Sequence, residues 1–252
     1  MIIGSNIFFF ENLPSTNSHA RALLRHNDLQ EGAIIYTNYQ SEGRGQAGNT
    51  WESEDNKNLL ISIILIPSMI SPAEQFVISM AISVGICDFL KRYVSGIKIK
   101  WPNDIYINND KIAGILIENS IQGEIIEHTI AGIGININQE KFLSSAPNPV
   151  SLRKLTGITY DLAVCLNQMA TDLDKRYKQL ISEDFTGIRH EYISLLYSYK
   201  KWLEFEDLKG VFRGRILTVG DNGALHVEKQ DGIISEYSSK EISFRIPSSP
   251  SF

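Results

Sequence analysis

The stretch Lys100–Ile117, which reads KWPNDIYINNDKIAGILI, constrains the fold of this chain more than any other part of the sequence. Pro102 has no backbone N–H and restricts the residue before it, so the chain cannot continue as a helix there. Two β-type runs, Ile105–Ile107 and Lys111–Ile117, flank the turn Asn108–Asp110. Because Asn and Asp tolerate the left-handed backbone that a tight turn requires, the pattern predicts a β-hairpin.

This predicted hairpin brings three charged side chains close together. Lys100 and Asp104 precede its first strand, and Lys111 opens its second strand. Gly114 lies inside the second strand, where a missing side chain often means that another group approaches the backbone. On the pattern alone, a charged site and an ordinary surface hairpin with solvated charges are equally favoured.

The composition excludes several classes of protein. The 252 residues suit one large domain, alone or with a small appendage, and the net charge of −5 argues against a nucleic-acid-binding protein. The longest apolar run, Leu59–Ile66, is far shorter than the ~20 residues that cross a bilayer, so we expect no membrane contact. The N-terminus shows no basic leader or cleavage site, which predicts no secretion signal.

Cysteine and histidine usage points to a reducing compartment without a zinc site. Cys87 and Cys165 lie far apart, each in an apolar helical pattern that is typical of a buried free thiol. The five histidines are scattered, and none pairs with another ligand at metal-binding spacing. We therefore expect a cytoplasmic protein with no dedicated metal centre.

The N-terminal part of the chain predicts a strand followed by a short helix. Ile7–Phe10 is the strand, and Ser15, Thr16 and Asn17 stand at the start of a helix that runs to about His26. These three residue types commonly cap helix N-termini, and the pattern alone favours capping over a binding role.

A glycine-rich loop follows the next predicted strand. The loop Tyr39–Trp51 reads YQSEGRGQAGNTW, and its glycines formally match G-x-G-x-x-G. A dinucleotide-binding loop must open a helix, whereas the next regular element here is the strand-like run Leu59–Ile66, so we reject that interpretation. A mobile loop that carries Arg44 can present N–H groups and a guanidinium to phosphate or carboxylate oxygens. A simple flexible connection is favoured equally.

A second hairpin is predicted from Ile115–Asn119 and Glu124–Ile137. Near its end, glycine alternates with isoleucine, which places Gly132, Gly134 and Asn136 on one face of the strand. Such a face leaves space for a flat ligand, or for close packing against a helix, and the pattern does not separate the two.

The remaining pattern predicts helices and then short strands. Helices are predicted over Pro72–Tyr93, Leu162–Leu180 and Ile188–Trp202, the first with a packed core face. From Leu203 the pattern changes to short β-type runs separated by Asn-Gly and Asp-Gly turns, which predicts a small β-barrel-like appendage.

Taken together, these motifs resemble biotin protein ligase. They are Ser15-Thr16-Asn17, Gln40 with GRGQAGNTW, KWPNDIY with KIAGILIE, and AGIGININ, in this order over about residues 13–138. The resemblance implies an α+β fold, in which a mixed, mostly antiparallel sheet packs with helices in a class II synthetase-like catalytic domain over residues 1–202. It also implies a small SH3-like β-barrel over residues 203–252.

The resemblance further implies a two-step reaction. Known ligases of this family form biotinyl-5′-AMP from biotin and ATP with Mg²⁺, and then transfer biotin to one lysine of a biotin carboxyl carrier protein. The implied catalytic residues are Lys111, Arg44 and Asp104, where Asp104 either holds Lys111 or contacts Mg²⁺. The role of Asp104 relative to Lys100 is left open.

The resemblance also implies binding roles residue by residue. The implied biotin contacts are Ser15, Thr16, Asn17, Gln40, Gly43, Arg44, Gly45, Gln46, Lys111 and Gly114. The implied ATP and adenylate contacts are Arg44, Gln46, Trp51, Asn103, Lys111, Asn136 and Arg245. No dedicated protein site for a metal is implied, because Mg²⁺ arrives with ATP.

Two departures from the family pattern matter. Gln46 stands where some members carry a second basic residue, and it lacks that residue's charge. Only one strand is predicted before Ser15, so we expect neither the helix-turn-helix domain of repressor members nor DNA binding.

Monomers and homodimers both occur in the family. The alternative functions are a lipoate or octanoate ligase or transferase of the same fold, and a non-catalytic biotin-binding protein.

Overall fold

The computed structural model describes residues 1–26, 28–143 and 148–246, and its central element is a seven-stranded sheet. Its strands are β1 (Ile7–Leu13), β2 (Ile34–Gln40), β3 (Leu59–Leu65), β4 (Ile97–Lys100), β5 (Asp104–Ile107), β6 (Asp110–Gln122) and β7 (Ile125–Ile135). They lie in the order β1-β2-β3-β7-β6-β5-β4. Only the β1–β2 pair among these is parallel, so the sheet is mixed and mostly antiparallel, as predicted.

Both predicted hairpins are confirmed, and they share one strand. β5 and β6 pair as antiparallel strands around a turn in which Asn108 adopts the left-handed φ of 54°. β6 continues past β5 and pairs with β7 up to Gln122. Strand β4 was not predicted, and it pairs with β5 so that Lys100 lies opposite Asp104.

Five α-helices accompany the sheet in the described part of the chain. They are α1 (Thr16–Leu24), α2 (Phe76–Leu90), α3 (Leu152–Thr156), α4 (Leu162–Ile181) and α5 (Phe185–Leu195). The sequence pattern predicted one core face for α2, but almost all of its residues are buried, because α4, α5 and strands of the sheet surround it. Pro72 lies in a separate 3₁₀ turn rather than in the first turn of α2.

The prediction of a helix to Trp202 was wrong at its C-terminal end. Leu196 already has extended geometry, with ψ of 137°, and the N–H of Tyr197 donates to the carbonyl of Ile99 on β4. Ser198 and Lys200 both adopt left-handed φ values, which turn the chain away from the helix axis. The tertiary hydrogen bond to β4 therefore ends the helix before its apolar pattern ends.

A second, antiparallel sheet follows α5. Its strands are β8 (Trp202–Asp207), β9 (Gly210–Val219), β10 (Leu225–Lys229), β11 (Ile234–Tyr237) and β12 (Ile242–Phe244), in the order β11-β10-β9-β8-β12. Trp101 Nε1 donates to the carbonyl of Gly223 over 2.9 Å, and one apolar core runs through both sheets. The predicted α+β class is confirmed. Residues 247–252 of the predicted appendage lie outside the described residues.

The helical layer is joined by ion pairs around Arg176 of α4. Its guanidinium lies 2.6 Å from Oδ2 of Asp88 on α2 and 2.7 Å from Oε2 of Glu191 on α5. Burial alone would raise the pKa of Asp88, but hydrogen bonds from Arg176 and Lys91 lower that pKa below its usual value. The three helices are thus held together by a largely buried cation.

One sequence expectation is met in this layer. Cys87 and Cys165 are buried free thiols, as their apolar surroundings predicted. None of the helices in residues 1–26, 28–143 and 148–246 is both long and apolar enough to span a lipid bilayer.

We expect Arg176→Ala to destabilise the fold by about 2–3 kcal/mol, because it leaves the carboxylate of Asp88 without its main cation, while half-exposed Glu191 is partly compensated by water. Urea unfolding followed by circular dichroism measures the change. The matched control is Arg153→Ala, which breaks a 3.2 Å pair with exposed Glu140. The control should cost about 0–1 kcal/mol. Equal losses in the two variants would contradict this role of Arg176.

Candidate functional site

A cavity of about 300 Å³ opens on one face of the central sheet. Its walls are the start of α1, the glycine-rich loop, strands β6 and β7, the segment 100–104 and strand β12. Most residues predicted for the site line this cavity: Ser15, Thr16, Asn17, Gln40, Arg44, Gly45, Gln46, Trp51, Asn103, Asp104, Lys111 and Gly114. Gly43, Asn136 and Arg245 are not among its lining residues.

One end of the cavity is a buried polar cluster at the start of α1. Thr16 donates from its backbone N–H and from its hydroxyl to Oε1 of Gln40, over 2.8 and 3.1 Å. Ser15 holds the N-cap position, but its side chain makes no capping hydrogen bond. The capping interpretation of Ser15 was therefore wrong, because a side chain from β2 satisfies the first helix N–H in its place.

Asn17 lines the cavity, but its amide is occupied by the protein. Its Oδ1 accepts from Ser62 over 2.6 Å, and its Nδ2 donates to Glu118 over 2.8 Å and to the Leu116 carbonyl over 3.3 Å. A Cβ added at Gly132 would lie 2.2 Å from Oδ1 of Asn17. Gly132 is thus a glycine because α1 packs closely on the sheet there.

The other glycines of this face contact an aromatic ring. The indole of Trp51 covers Gly114 and Gly134, where an added Cβ would come within 2.8 and 2.4 Å of ring carbon atoms. The glycine face therefore accommodates a flat group, and that group is the protein's own Trp51. Nε1 of Trp51 and Oδ1 of Asn136 are buried without a hydrogen-bond partner, which makes both unusual in a folded interior.

The opposite end of the cavity is charged. Nζ of Lys111 lies 2.8 Å from Oδ1 of Asp104, and both side chains are 23% exposed. Backbone hydrogen bonds to Asn148 and from Val150 hold Lys111 in place, and Asn136 donates to the Val150 carbonyl over 3.1 Å. Asn136 thus supports the segment beside Lys111. Asn103 donates from Nδ2 to the Ile115 carbonyl, which ties the 100–104 segment to β6.

Lys100 adds a second cation beside this pair. Burial lowers the pKa of Lys100, the charge of Asp104 opposes that decrease, and nearby Lys111 adds to it. Its Nζ lies 5.3 Å from the ring centroid of Phe244 on β12 and 5.6 Å from that of Tyr106. Two lysines and one carboxylate therefore leave this end of the cavity with a net positive charge.

Arg44 is oriented by a residue that the sequence analysis did not single out. Nη2 of Arg44 lies 3.1 Å from Oε1 of Glu118, and Nη2 of Arg21 on α1 lies 2.7 Å from the same oxygen. Burial would raise the pKa of Glu118, but hydrogen bonds from Asn17 and Arg21 lower it. The strand alternation that places Gly114 and Glu118 on one face of β6 could have indicated this role.

The second sheet also contributes to the cavity, but through residues other than the predicted Arg245. The lining residues from this region are Ser239, Ile242, Ser243 and Phe244. Arg245, the residue predicted from the resemblance, instead pairs with Glu206 over 2.9 Å and is half exposed. No group of three or more His, Cys, Asp or Glu residues suited to hold a metal ion occurs among the described residues.

Comparison with known proteins places this cavity in a family. The model of the Biotin/lipoate A/B protein ligase family matches residues 9–136, about half of the chain. This chain belongs to that family. The match covers the start of α1, the glycine-rich loop and both hairpins, so it contains most of the cavity.

The similarity of this chain to known relatives extends beyond residues 9–136. The bifunctional ligase/repressor BirA of Bacillus spizizenii is 30% identical over 247 residues, which cover 94% of this chain and 74% of the relative. The biotin–[acetyl-CoA-carboxylase] ligase of Paracoccus denitrificans is 28% identical over 188 residues, covering 71% of this chain and 76% of the relative. The fold matches the biotin protein ligase of Aquifex aeolicus with a TM-score of 0.80 at 22% identity, covering 96% of this chain and all of that chain.

We expect Gly134→Ala to destabilise the protein by about 1–3 kcal/mol, because the new methyl group overlaps the Trp51 ring. Urea unfolding gives the loss, and tryptophan fluorescence reports the displaced indole. In a Trp51→Ala background the same substitution should cost almost nothing, since the clash is gone. An identical cost in both backgrounds would show that the ring does not set the requirement for glycine.

Proposed function

We propose that this chain is an ATP-dependent biotin protein ligase, which forms biotinyl-5′-AMP and transfers biotin to a lysine of a biotin carboxyl carrier protein. The observation that carries the proposal is one cavity with two chemically different ends, the polar cluster around Gln40 and the positive end around Lys111. An acid with a polar head group fits between them. The names of the relatives from Bacillus and Paracoccus, and the biotin and ATP held by the Aquifex structure, support biotin as that acid.

The positive end suits adenylation. An oxygen of the biotin carboxylate attacks the α-phosphorus of ATP, an O–P bond forms, and pyrophosphate leaves. Both reactants are anions, so cations must offset their repulsion and stabilise the charge that develops on the phosphate. Lys111 is the donor proposed to contact the carboxylate and the phosphate, Asp104 orients it through their ion pair, and Lys100 adds charge nearby.

The second step uses the same end of the cavity. The acceptor lysine's amine attacks the carbonyl of the mixed anhydride, a C–N bond forms, and AMP leaves with the electrons of the broken C–O bond. A cation beside that carbonyl favours the attack, and AMP is a good leaving group, so no enzyme nucleophile is required. The glycine-rich loop, with Gly43, Gly45 and Gln46, would cover the adenylate and exclude water.

The polar end suits the ureido group of biotin. Ser15, Thr16 and Gln40 supply hydroxyl and amide groups that match a urea, which both donates and accepts hydrogen bonds. Asn17 would act at this end by holding α1 on the sheet, since its own amide groups bond to Ser62, Leu116 and Glu118.

The part of the cavity beside Trp51 suits adenine. Trp51 packs on the glycine face and offers its ring for stacking. Asn136 does not line the cavity and would act by holding Val150 beside Lys111. Gly114 and Asn103 would border this part. Arg245 does not line the cavity, and its guanidinium pairs with Glu206.

Mg²⁺ would accompany ATP rather than occupy a protein cage. Mg²⁺ commonly binds one or two carboxylates plus substrate phosphates, and Asp104 is the carboxylate that lines the cavity. One oxygen of Asp104 is engaged by Lys111, so the ion would rely mainly on phosphate oxygens. When bound, Mg²⁺ neutralises phosphate charge and polarises the phosphorus centre.

The C-terminal region completes the proposal. We propose a catalytic domain over residues 1–202 and a small SH3-like barrel over residues 203–252, which the order β11-β10-β9-β8-β12 supports. Its contacts to Trp101 and Lys100 would make it a wall of the active site. A cytoplasmic location stays a prediction, and so does the choice between monomer and homodimer.

A competition assay tests the substrate. Purified protein receives Mg-ATP with equal biotin and lipoate, and the quenched mixture is examined by mass spectrometry for acyl-adenylates. We expect biotinyl-AMP alone. Lipoyl-AMP would move the protein to the lipoate branch of its family and overturn the ureido assignment. Neither product, from protein that binds biotin, would favour a non-catalytic biotin-binding protein.

We expect Lys111→Ala to slow biotinyl-AMP formation by about 100-fold or more, because it removes the cation that stabilises charge in the transition state. Pyrophosphate release at saturating biotin and ATP measures the rate. Lys98→Ala is the matched control, since Lys98 lies on β4 of the same sheet, outside the cavity lining. A folded Lys111→Ala variant with the rate of the control would remove Lys111 from the mechanism.

A further inference from the structure

The carboxylate of Glu118 joins three segments that shape the cavity. Its Oε1 lies 2.7 Å from Nη2 of Arg21 and 3.1 Å from Nη2 of Arg44, and its Oε2 accepts from Asn17 over 2.8 Å. Arg21 and Asn17 belong to α1, Arg44 belongs to the glycine-rich loop, and Glu118 lies on β6. One acidic side chain therefore fastens the loop and the helix to the sheet.

Two backbone hydrogen bonds join residues within the glycine-rich loop. The N–H of Gly45 donates to the Asn49 carbonyl over 2.7 Å, and the N–H of Trp51 donates to the Gly43 carbonyl over 2.8 Å. Two side chains then tie the loop to β6: Trp51 covers Gly114, and Arg44 pairs with Glu118. The loop is thus held at Trp51, its last residue, and at Arg44 near its middle.

The ion pair also determines how Arg44 faces the cavity. A guanidinium carries five N–H donors in one plane, and Glu118 engages one terminal nitrogen. This contact restricts the plane of a half-exposed, otherwise flexible side chain and leaves its other nitrogens as donors toward a ligand. Arg44 lines the cavity, whereas Glu118 is not among the lining residues.

Exposed ion pairs usually contribute little to stability, so the strength of the Arg44–Glu118 pair depends on the surroundings of Glu118. Its side chain is one-fifth exposed and receives hydrogen bonds from three donors. Charge-assisted hydrogen bonds are stronger than neutral ones, and a network of them holds its members in one arrangement.

We propose that Glu118 is a positioning residue for retention of the adenylate: it orients Arg44 and keeps the glycine-rich loop on β6, so that bound biotinyl-AMP does not escape before transfer. This inference rests on the proposed function. Glu118 acts through Arg44 and touches neither substrate nor the reacting atoms.

The test measures how fast each variant releases preformed biotinyl-AMP in the absence of acceptor. Glu118→Gln keeps the side-chain size and can still bond to Asn17, but it removes the charge that holds Arg44. We expect release at least about fivefold faster than wild type, which corresponds to about 1 kcal/mol. Arg21→Gln is the matched control, because it removes the other ion pair of Glu118 and leaves the loop contact. Its release should stay within about twofold of wild type, because the contact between Glu118 and Arg44 remains.

A double variant separates positioning from general support. If Glu118 acts through Arg44, then Glu118→Gln/Arg44→Ala releases the adenylate at the rate of Arg44→Ala alone. If the rate increases of the two single variants multiply in the double variant, the proposal is overturned. Release from Glu118→Gln at the wild-type rate would also overturn it. If thermal melting shows Glu118→Gln unfolded at the assay temperature, Glu118→Asp replaces it, since the shorter side chain withdraws from Arg44 while it keeps the charge.

Trypsin provides a readout that does not depend on the reaction. We expect cleavage after Arg44 in the unliganded protein to be several-fold faster in Glu118→Gln than in wild type or Arg21→Gln. Equal cleavage rates would overturn the anchoring role. Wild-type protein that forms no biotinyl-AMP would overturn the proposed function instead, and the trypsin result would still decide whether Glu118 anchors the loop.

Discussion

Strand β6 pairs with β5 at its start and with β7 along most of its length, and this double pairing is what the cavity depends on. Because side chains alternate along a strand, Gly114 and Glu118 project to the same face at fixed spacing. Trp51 packs on the first and Arg44 pairs with the second. Lys111 lies near the start of the same strand. A shift of β6 by one residue would turn this face away from the cavity.

Forming the cavity costs free energy of folding, because it places amides, hydroxyls and charges in a largely buried setting. Most of this cost is offset locally: Gln40 satisfies Thr16, Ser62 and Glu118 satisfy Asn17, and Asp104 pairs with Lys111. Nε1 of Trp51, which lines the cavity, is left without a hydrogen-bond partner. The same arrangement that stabilises the fold thus leaves a polar group at the cavity.

Local patterns predicted the parts of this protein that depend on neighbours in the chain. The turn Asn108–Asp110, the glycine–isoleucine alternation and the antiparallel hairpins all follow from residues a few positions apart. The end of α5 could not be predicted in this way, because a hydrogen bond from Tyr197 to Ile99 ends it. The burial of α2 on almost all sides likewise results from elements distant in sequence that pack around it.

The sequence by itself determined the hairpins, since each motif is short and its backbone preferences are local. The α+β class and the residues assigned to the site followed from the resemblance of these motifs to a known family, and most of the assigned residues line the cavity. Only the tertiary structure decided what those residues do there. Asn17 holds α1 to the sheet, Trp51 fills the glycine face, and Arg245 turns outward to Glu206. Glu118 and Phe244 joined the site for the same reason. Contacts between segments far apart in the chain depend on packing and charge in three dimensions, which no local pattern records.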